Sequence, residues 1–298
     1  ELLADFISQE SVDDVGAAET FTRQMGGSPA NLARNLSVLG KSVSLVATVG
    51  DDGLGDYLLE RLDEVGVDTS GVSVDPIRPT SSVLIARSAD TPDFIHYREA
   101  DTQIRREQLA DQRVCNCSIF HTTCVALSSD QARQAIFSAA ERAVDAGSHL
   151  SIDTNFVSQH WADAGVARRS IDAYCRGTAL VKLSLDDASR LFETDRDALS
   201  QMEVVETVHS WGAEVVCLTM GRQGSLVSWN EGGETASVPA EEVDDVYGAT
   251  GAGDAFWSGF LTGWLDGKSP PSCAELGARV AAEAVRRAGP LDGDRPEL

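Results

Sequence analysis

The sequence predicts an α/β fold built on a layered sheet, and three observations carry that reading. Strand-like and helix-like segments alternate through most of the chain. A length of 298 residues with 42% hydrophobic content suffices for one large core in a single domain spanning 1–298. Two strand-like runs with no helix between them stand outside the alternation, as a small appendage to the main sheet would.

Residues 29–39 read as a helix, with Leu32, Leu36 and Leu39 at i, i+4 and i+7. Residues 43–49 read as a strand ending at Gly50, and Leu58, Leu62 and Val65 form the stripe of a second helix. Further strands are expected around 118–120, 150–153, 179–183 and 215–218, with helices around 130–146, 165–175, 185–193 and 203–211. Segments 82–86 and 94–98, joined by the polar turn from Ser88 to Asp93, predict a hairpin that either covers a site as a lid or is a plain edge hairpin. Two helices close the chain, one running from the glycine turn before Asp254 to about Leu265, the other from Cys273 to Ala288, stopped by Gly289-Pro290.

Composition excludes several functions. With 47 acids against 24 bases and a net charge of −23, binding to nucleic acid or an anionic membrane is disfavoured, because both need basic surface. Lysine is scarce, at Lys41, Lys182 and Lys268, and the acidity points to adaptation to high salt; an acidic protein of an ordinary cytosol is the alternative. No apolar run reaches the 18 residues of a membrane span, and the opening residues lack the basic segment of a signal peptide, so a soluble cytoplasmic protein is expected. The six cysteines fit no zinc spacing and read as small core residues; the run His121 to Cys124 reads as the end of a buried strand rather than a metal site.

Chemistry concentrates in two turns. In Gly248-Ala249-Thr250-Gly251-Ala252-Gly253-Asp254, small residues precede a helix whose first N–H groups suit a phosphate, and Asp254 falls in the first helical turn. A carboxylate there serves as a general base, or merely stabilises the helix start. In Gly26-Gly27-Ser28-Pro29-Ala30-Asn31, the Asn31 amide would face the turn and bond a polyol, or the segment is a helix start and no more. No Walker-type phosphate loop is present.

Segment 26–57, including Val49-Gly50-Asp51-Asp52-Gly53-Leu54-Gly55, resembles the N-terminal signature of ribokinase-like (PfkB-type) carbohydrate kinases, and 248–260 resembles their C-terminal signature. Order and spacing match over essentially the whole chain. The resemblance implies a three-layer sandwich with a central, mostly parallel sheet and a small β lid from about 82–98 with neighbouring strands. It implies ATP-dependent phosphorylation of a sugar, with Mg²⁺, in which Asp254 deprotonates the acceptor hydroxyl. Backbone N–H groups of Gly251, Ala252 and Gly253 would form the anion hole. Asp5, Gly27 and Asn31 match sugar-contacting positions, and Arg98 would reach the substrate from the lid; the alternative for Arg98 is a pair with Glu99 or another acid. Thr219, Gly221 and Gly224 would line the triphosphate, and relatives often pair through the lid, which implies a homodimer.

Three features depart from the family pattern. Its Asn-x-x-Glu motif stands here as Ser184-Leu185-Asp186-Asp187, where Ser184 and Asp187 would serve ATP, and Asp187 would hold Mg²⁺ indirectly through water. Gly248 replaces an aspartate that helps relatives bind a monovalent cation, and Val157 replaces the arginine of Asp-Pro-Asn-x-Arg. The opening residues and segment 94–101 resemble fructokinase-like members; a 2-keto-3-deoxygluconate, ribose or nucleoside kinase, or a non-catalytic sugar-binding regulator, are the alternatives.

Overall fold

The computed structural model describes residues 1–87, 93–176, 179–244, 251–286 and 291. Strand β1 (Leu3–Ser11) runs antiparallel to β2 (Phe21–Gly26), which leads directly into helix α1 (Ser28–Val38). The hinge is Gly27, whose φ of 95° disfavours a side chain and whose Cβ would come within 2.7 Å of the Glu1 carbonyl oxygen. Strand β3 (Ser44–Gly50) follows, then α2 (Gly53–Asp63), capped by the Asp52 carboxylate accepting from the Leu54 and Gly55 N–H groups at 3.0 Å. Strand β4 (Asp68–Asp75) pairs with β3 in parallel.

The expected hairpin is present. Strands β5 (Ser82–Arg87) and β6 (Phe94–Tyr97) pair antiparallel, and β5 also pairs with β1, giving a small sheet of order β2-β1-β5-β6. Of the turn Ser88 to Asp93, only Asp93 falls within the described residues.

The rest of the chain builds the main sheet. It runs through α3 (Asp111–Val114), β7 (Ile119–Thr123), α4 (Cys124–Leu127), α5 (Asp130–Asp145), β8 (His149–Asp153), α6 (Ala164–Tyr174), β9 (Ala179–Ser184) and α7 (Leu185–Phe192). Then come α8 (Gln201–Ser210), β10 (Ala213–Thr219), β11 (Ser225–Trp229), β12 (Glu234–Val238), α9 (Ala252–Leu265) and α10 (Pro270–Val285). The sheet has the order β12-β11-β10-β9-β8-β7, parallel from β7 to β10 and antiparallel at the β11 and β12 edge.

The central parallel strands β9 and β10 are buried on both faces along most of their length, which is why they read as near-continuous apolar runs. Val181, Val216 and Leu218 point into one layer with Ile136 of α5, Ile171 of α6, Leu191 of α7 and Val205 of α8. Leu180, Val215 and Cys217 point into the other, against Leu32 of α1 and Phe256, Trp257 and Phe260 of α9. Trp257 is fully buried and its indole N–H donates to Ser151 Oγ at 3.0 Å, so its one polar atom is satisfied inside the core. Helices α9 and α10 touch almost backbone to backbone, since a Cβ on Gly259 would lie 2.8 Å from Gly277 Cα. That close approach seats α9, and with it Asp254, firmly on the sheet.

Strands β4, β11 and β12 were not expected from sequence. Their serines, threonines and acids hide the strand pattern: β4 is Asp-Thr-Ser-Gly-Val-Ser-Val-Asp, and β12 is largely exposed. Helix α10 starts at Pro270, three residues before the expected Cys273, because proline suits a first helical position. Its expected stop at Gly289-Pro290 lies outside the described residues. Four cysteines are buried as expected, whereas Cys115 and Cys117 are half-buried. No helix among the described residues is long and apolar enough to cross a membrane.

Candidate active site

Two helix N-termini converge here. Gly251 (φ 81°) caps α9, so Ala252 and Gly253 open the helix and Asp254 completes its first turn. Facing it is the start of α1. Ser28 Oγ donates to one Asp254 carboxylate oxygen at 2.6 Å, and Asn31 Nδ2 donates to the other at 2.9 Å. The two turns singled out in the sequence therefore meet in one place. Asn31, expected to contact a sugar, bonds this carboxylate through its Nδ2. The segment 248–250 lies outside the described residues.

Asp254 keeps part of its surface open to solvent. Protein nevertheless crowds it, and the lost hydration, followed by repulsion from Asp153, pushes its pKa up to about 6 against the bonds from Ser28 and Asn31 and the attraction of Lys182. Asp5 is buried on β1 close by, and desolvation first, then the Asp254 charge, push it up to about 7. Its carboxylate occupies the space above Gly26, where an added Cβ would lie 2.3 Å from Asp5 Cγ.

A buried ammonium lies beneath the glycine turn that opens α9. Lys182 Nζ is 2.7 Å from Asp153 Oδ2, with both residues almost completely buried, and a Cβ on Gly253 would stand 3.1 Å from that nitrogen. Burial alone would lower the Lys182 pKa, but Asp153, Asp187 and Asp254 together hold it raised and the amine charged. Sequence reasoning did not single out Lys182 or Ser28. The signal for Lys182 was available: one of three lysines, set inside the apolar run Ala179-Leu180-Val181-Lys182-Leu183.

The expected nucleotide residues lie along the carboxyl edge of the parallel strands, where open α/β sheets bind ligands. Asp153 pairs in register with Lys182, and Ser184 with Thr219. Thr219 Oγ1 donates to the Leu183 carbonyl at 3.4 Å, and Gly221 and Gly224 bracket the turn that follows. A cleft of about 490 Å³ beside this turn is lined by Leu185, Arg196, Asp197, Leu199, Gln201 and Gln223. Ser184 caps α7, donating to Asp187 Oδ2 at 2.6 Å and accepting from the Asp187 N–H at 2.9 Å. The other Asp187 oxygen accepts from the Phe156 N–H at 2.9 Å and from Arg190 at 3.0 Å. These bonds fix the loop after β8 against the start of α7.

Arg98 follows β6 but does not stand free over the pocket. Its Nε and Nη2 donate to Asp101 Oδ2 at 2.9 and 2.5 Å, and its Nη1 donates to Ser128 Oγ and the Val125 carbonyl at 2.7 and 3.1 Å. The pairing acid is Asp101 rather than Glu99. The guanidinium thus ties the small sheet to α4. Beside it, the His96 and His160 rings meet edge to face with centroids 4.8 Å apart. Burial, then Arg98, lower both pKa values, His160 to about 4, so the pair is neutral at pH 7.

Residues 1–297 match the family model described as pfkB family carbohydrate kinase. An ATP-dependent 6-phosphofructokinase from Thermoanaerobacterium thermosaccharolyticum is 33% identical, over all of this chain and 89% of its own. The fructokinase structure from Halothermothrix orenii superposes with a TM-score of 0.80 at 34% identity, covering 97% of this chain and 96% of that one. An uncharacterised sugar kinase from Pyrococcus horikoshii, in complex with ATP, gives 0.84 at 26% identity, covering 97% and 91%.

Proposed function

The chain belongs to the pfkB family of carbohydrate kinases, phosphotransferases with a sugar hydroxyl as acceptor, and on that premise we propose that it transfers the γ-phosphate of ATP to an uncharged hexose of the fructose type. The observation that carries this reading is the pair of carboxylates at the pocket, Asp5 beside Asp254, while the two nearby cations described, Lys182 and Arg98, are each already paired with another acid. Lys182 is taken by Asp153 and Arg98 by Asp101. An acceptor already bearing phosphate or carboxylate would be repelled by both aspartates, whereas hydroxyls would bond to them.

In this reading Asp254 removes the proton from the attacking hydroxyl. The freed oxygen bonds to the γ-phosphorus, the bond to the bridging oxygen breaks, and ADP leaves with that electron pair. The N–H groups at the start of α9, from Gly251 to Gly253, face the transferring phosphoryl group, and the Lys182 ammonium beneath them adds positive field where negative charge accumulates. Asp5 and Gly27 border the sugar, and Arg98 holds the small sheet in place above it. Thr219, Gly221 and Gly224 border the triphosphate. Mg²⁺ bound with ATP supplies further charge neutralisation; Asp187, whose oxygens are already bonded to Ser184, Phe156 and Arg190, suits the ion's water shell rather than the ion itself.

A second reading, phosphorylation of fructose 6-phosphate, is favoured by the 33% identity to the 6-phosphofructokinase along the whole chain. Coupled ADP-release assays with fructose, fructose 6-phosphate, ribose, 2-keto-3-deoxygluconate and adenosine separate the two. A kcat/KM at least tenfold higher for fructose 6-phosphate than for fructose would sink the proposal. The exposed Phe94, Ile95 and Tyr97 on edge strand β6, 39–53% accessible, support pairing of two copies through the small sheet, which light scattering tests.

A further inference from the structure

Ser28 belongs to neither the glycines nor the asparagine of its turn, yet it makes the shortest contact to the proposed base. Its hydroxyl is 2.6 Å from one Asp254 oxygen, across 226 positions of sequence. Three features set it there. Gly27 turns the chain at a φ of 95°, so that Ser28 is the first residue of α1. The packing of α1 on α9 brings the two helix starts face to face. Ser28 is itself buried, at 8% accessibility, so water does not compete well for its hydroxyl.

Among the described residues, the charges around Asp254 come from three strands. Asp5 on β1 and Asp153 on β8 repel its negative charge, and Lys182 on β9 attracts it, with the neutral donors Ser28 and Asn31 facing it from α1. Lys182 is held 2.7 Å from Asp153, so much of its charge is spent on that partner. Among the described residues, the direct bonds to the carboxylate are those of Ser28 and Asn31, one to each oxygen. Together they fix the plane of the group, and each oxygen retains a lone pair for the hydroxyl that arrives.

We propose that Ser28 is a positioning residue for phosphoryl transfer, whose hydroxyl aims the Asp254 carboxylate and keeps it ionised before the acceptor arrives. The inference rests on the reading of Asp254 as the base. A hydrogen bond donated to a carboxylate favours its charged form, which opposes burial and the two neighbouring aspartates. Ser28 therefore extends activity toward lower pH.

The test is the pH profile of kcat/KM for wild type, Ser28→Ala, Ser28→Thr and Asp254→Asn, with MgATP and, separately, fructose and fructose 6-phosphate. In Ser28→Ala the acid limb is expected to move upward by about one pH unit, with roughly a tenfold loss at pH 5 and less than about a threefold loss at pH 9. Ser28→Thr, which keeps the hydroxyl, restores the limb. An unmoved limb in Ser28→Ala, an equal loss at every pH, or a Thr variant that behaves as the Ala variant would overturn the proposal. The control separates the two ideas. If Asp254→Asn keeps most of its activity, the base reading fails; if it is inactive while Ser28→Ala leaves the limb in place, the failure is confined to Ser28.

Discussion

Lys182 Nζ lies 2.7 Å from Asp153 Oδ2, directly under the position where a side chain on Gly253 would begin. The pair joins β8 to β9 at the sheet's carboxyl edge and places an ammonium beneath the turn that opens α9. Removing the amine leaves a carboxylate buried without its counter-charge, which costs about 3–5 kcal/mol. Lys182→Met is expected to lose that much stability in urea unfolding. Adding Asp153→Leu should return most of it, since replacing both ions by apolar groups is often neutral. Activity should stay low in both, because the positive field under the phosphoryl group is gone. A double variant with restored stability and wild-type kcat would remove Lys182 from the mechanism.

Asp254 predicts its own pH profile. Burial and Asp153 hold its pKa at about 6, and as the proposed base it must be ionised to accept a proton. The kcat/KM for the acceptor should therefore be level above that pH and fall about tenfold per unit below it. Asp254→Asn removes the acceptor site for the proton and should lower kcat by roughly 10²–10⁴-fold with the fold intact by circular dichroism. A variant retaining a tenth or more of wild-type kcat would show that another group takes the proton.

How much of this was legible in the sequence follows from how local each signal is. The turn before Asp254 is short and contiguous, so its glycines and its acid declare an anion site with a carboxylate beside it. The strands β9 and β10, buried on both faces, also announce themselves as apolar runs. By contrast, the bond from Ser28 to Asp254 spans 226 positions and exists only because α1 packs on α9. The Asp187 carboxylate is spent on a helix cap and on the Phe156 N–H, which spacing alone does not reveal. Arg98 shows the same limit: Asp101 lies only three residues away, but Ser128 and Val125, which complete its bonding, come from another element.

The acidity of the chain makes a separate expectation. A net charge of −23 over 298 residues repels itself in the folded state more than in the expanded one. Salt relieves this, because the screening length falls from about 10 Å at 0.1 M to about 3 Å at 1 M. The melting temperature should climb between ~0.1 and ~2 M KCl, more than for a near-neutral protein of the same size. A flat curve, in thermal melts followed by circular dichroism, would remove the high-salt reading.

Asp5 sets function against stability. Its folded pKa is about 7, raised from 3.8 first by burial and then by Asp254. A carboxyl group raised in the folded state favours folding at low pH, and that contribution is lost as pH rises through the folded value. Above pH 7 the protein thus holds an ionised group that would be better solvated in the unfolded chain. Asp5→Asn, a neutral side chain of the same shape, is expected to be more stable than wild type at pH 8 by about 1–3 kcal/mol, a few degrees in Tm. Near pH 4 the advantage should vanish, because the wild-type carboxyl is then protonated when folded and no longer strongly ionised when unfolded. The same variant should raise the KM for the acceptor sugar, since an amide offers a weaker acceptor to its hydroxyls. A variant with an unchanged Tm difference across that pH range would show that Asp5 does not titrate near neutrality, and one with an unchanged KM would take it out of the sugar site.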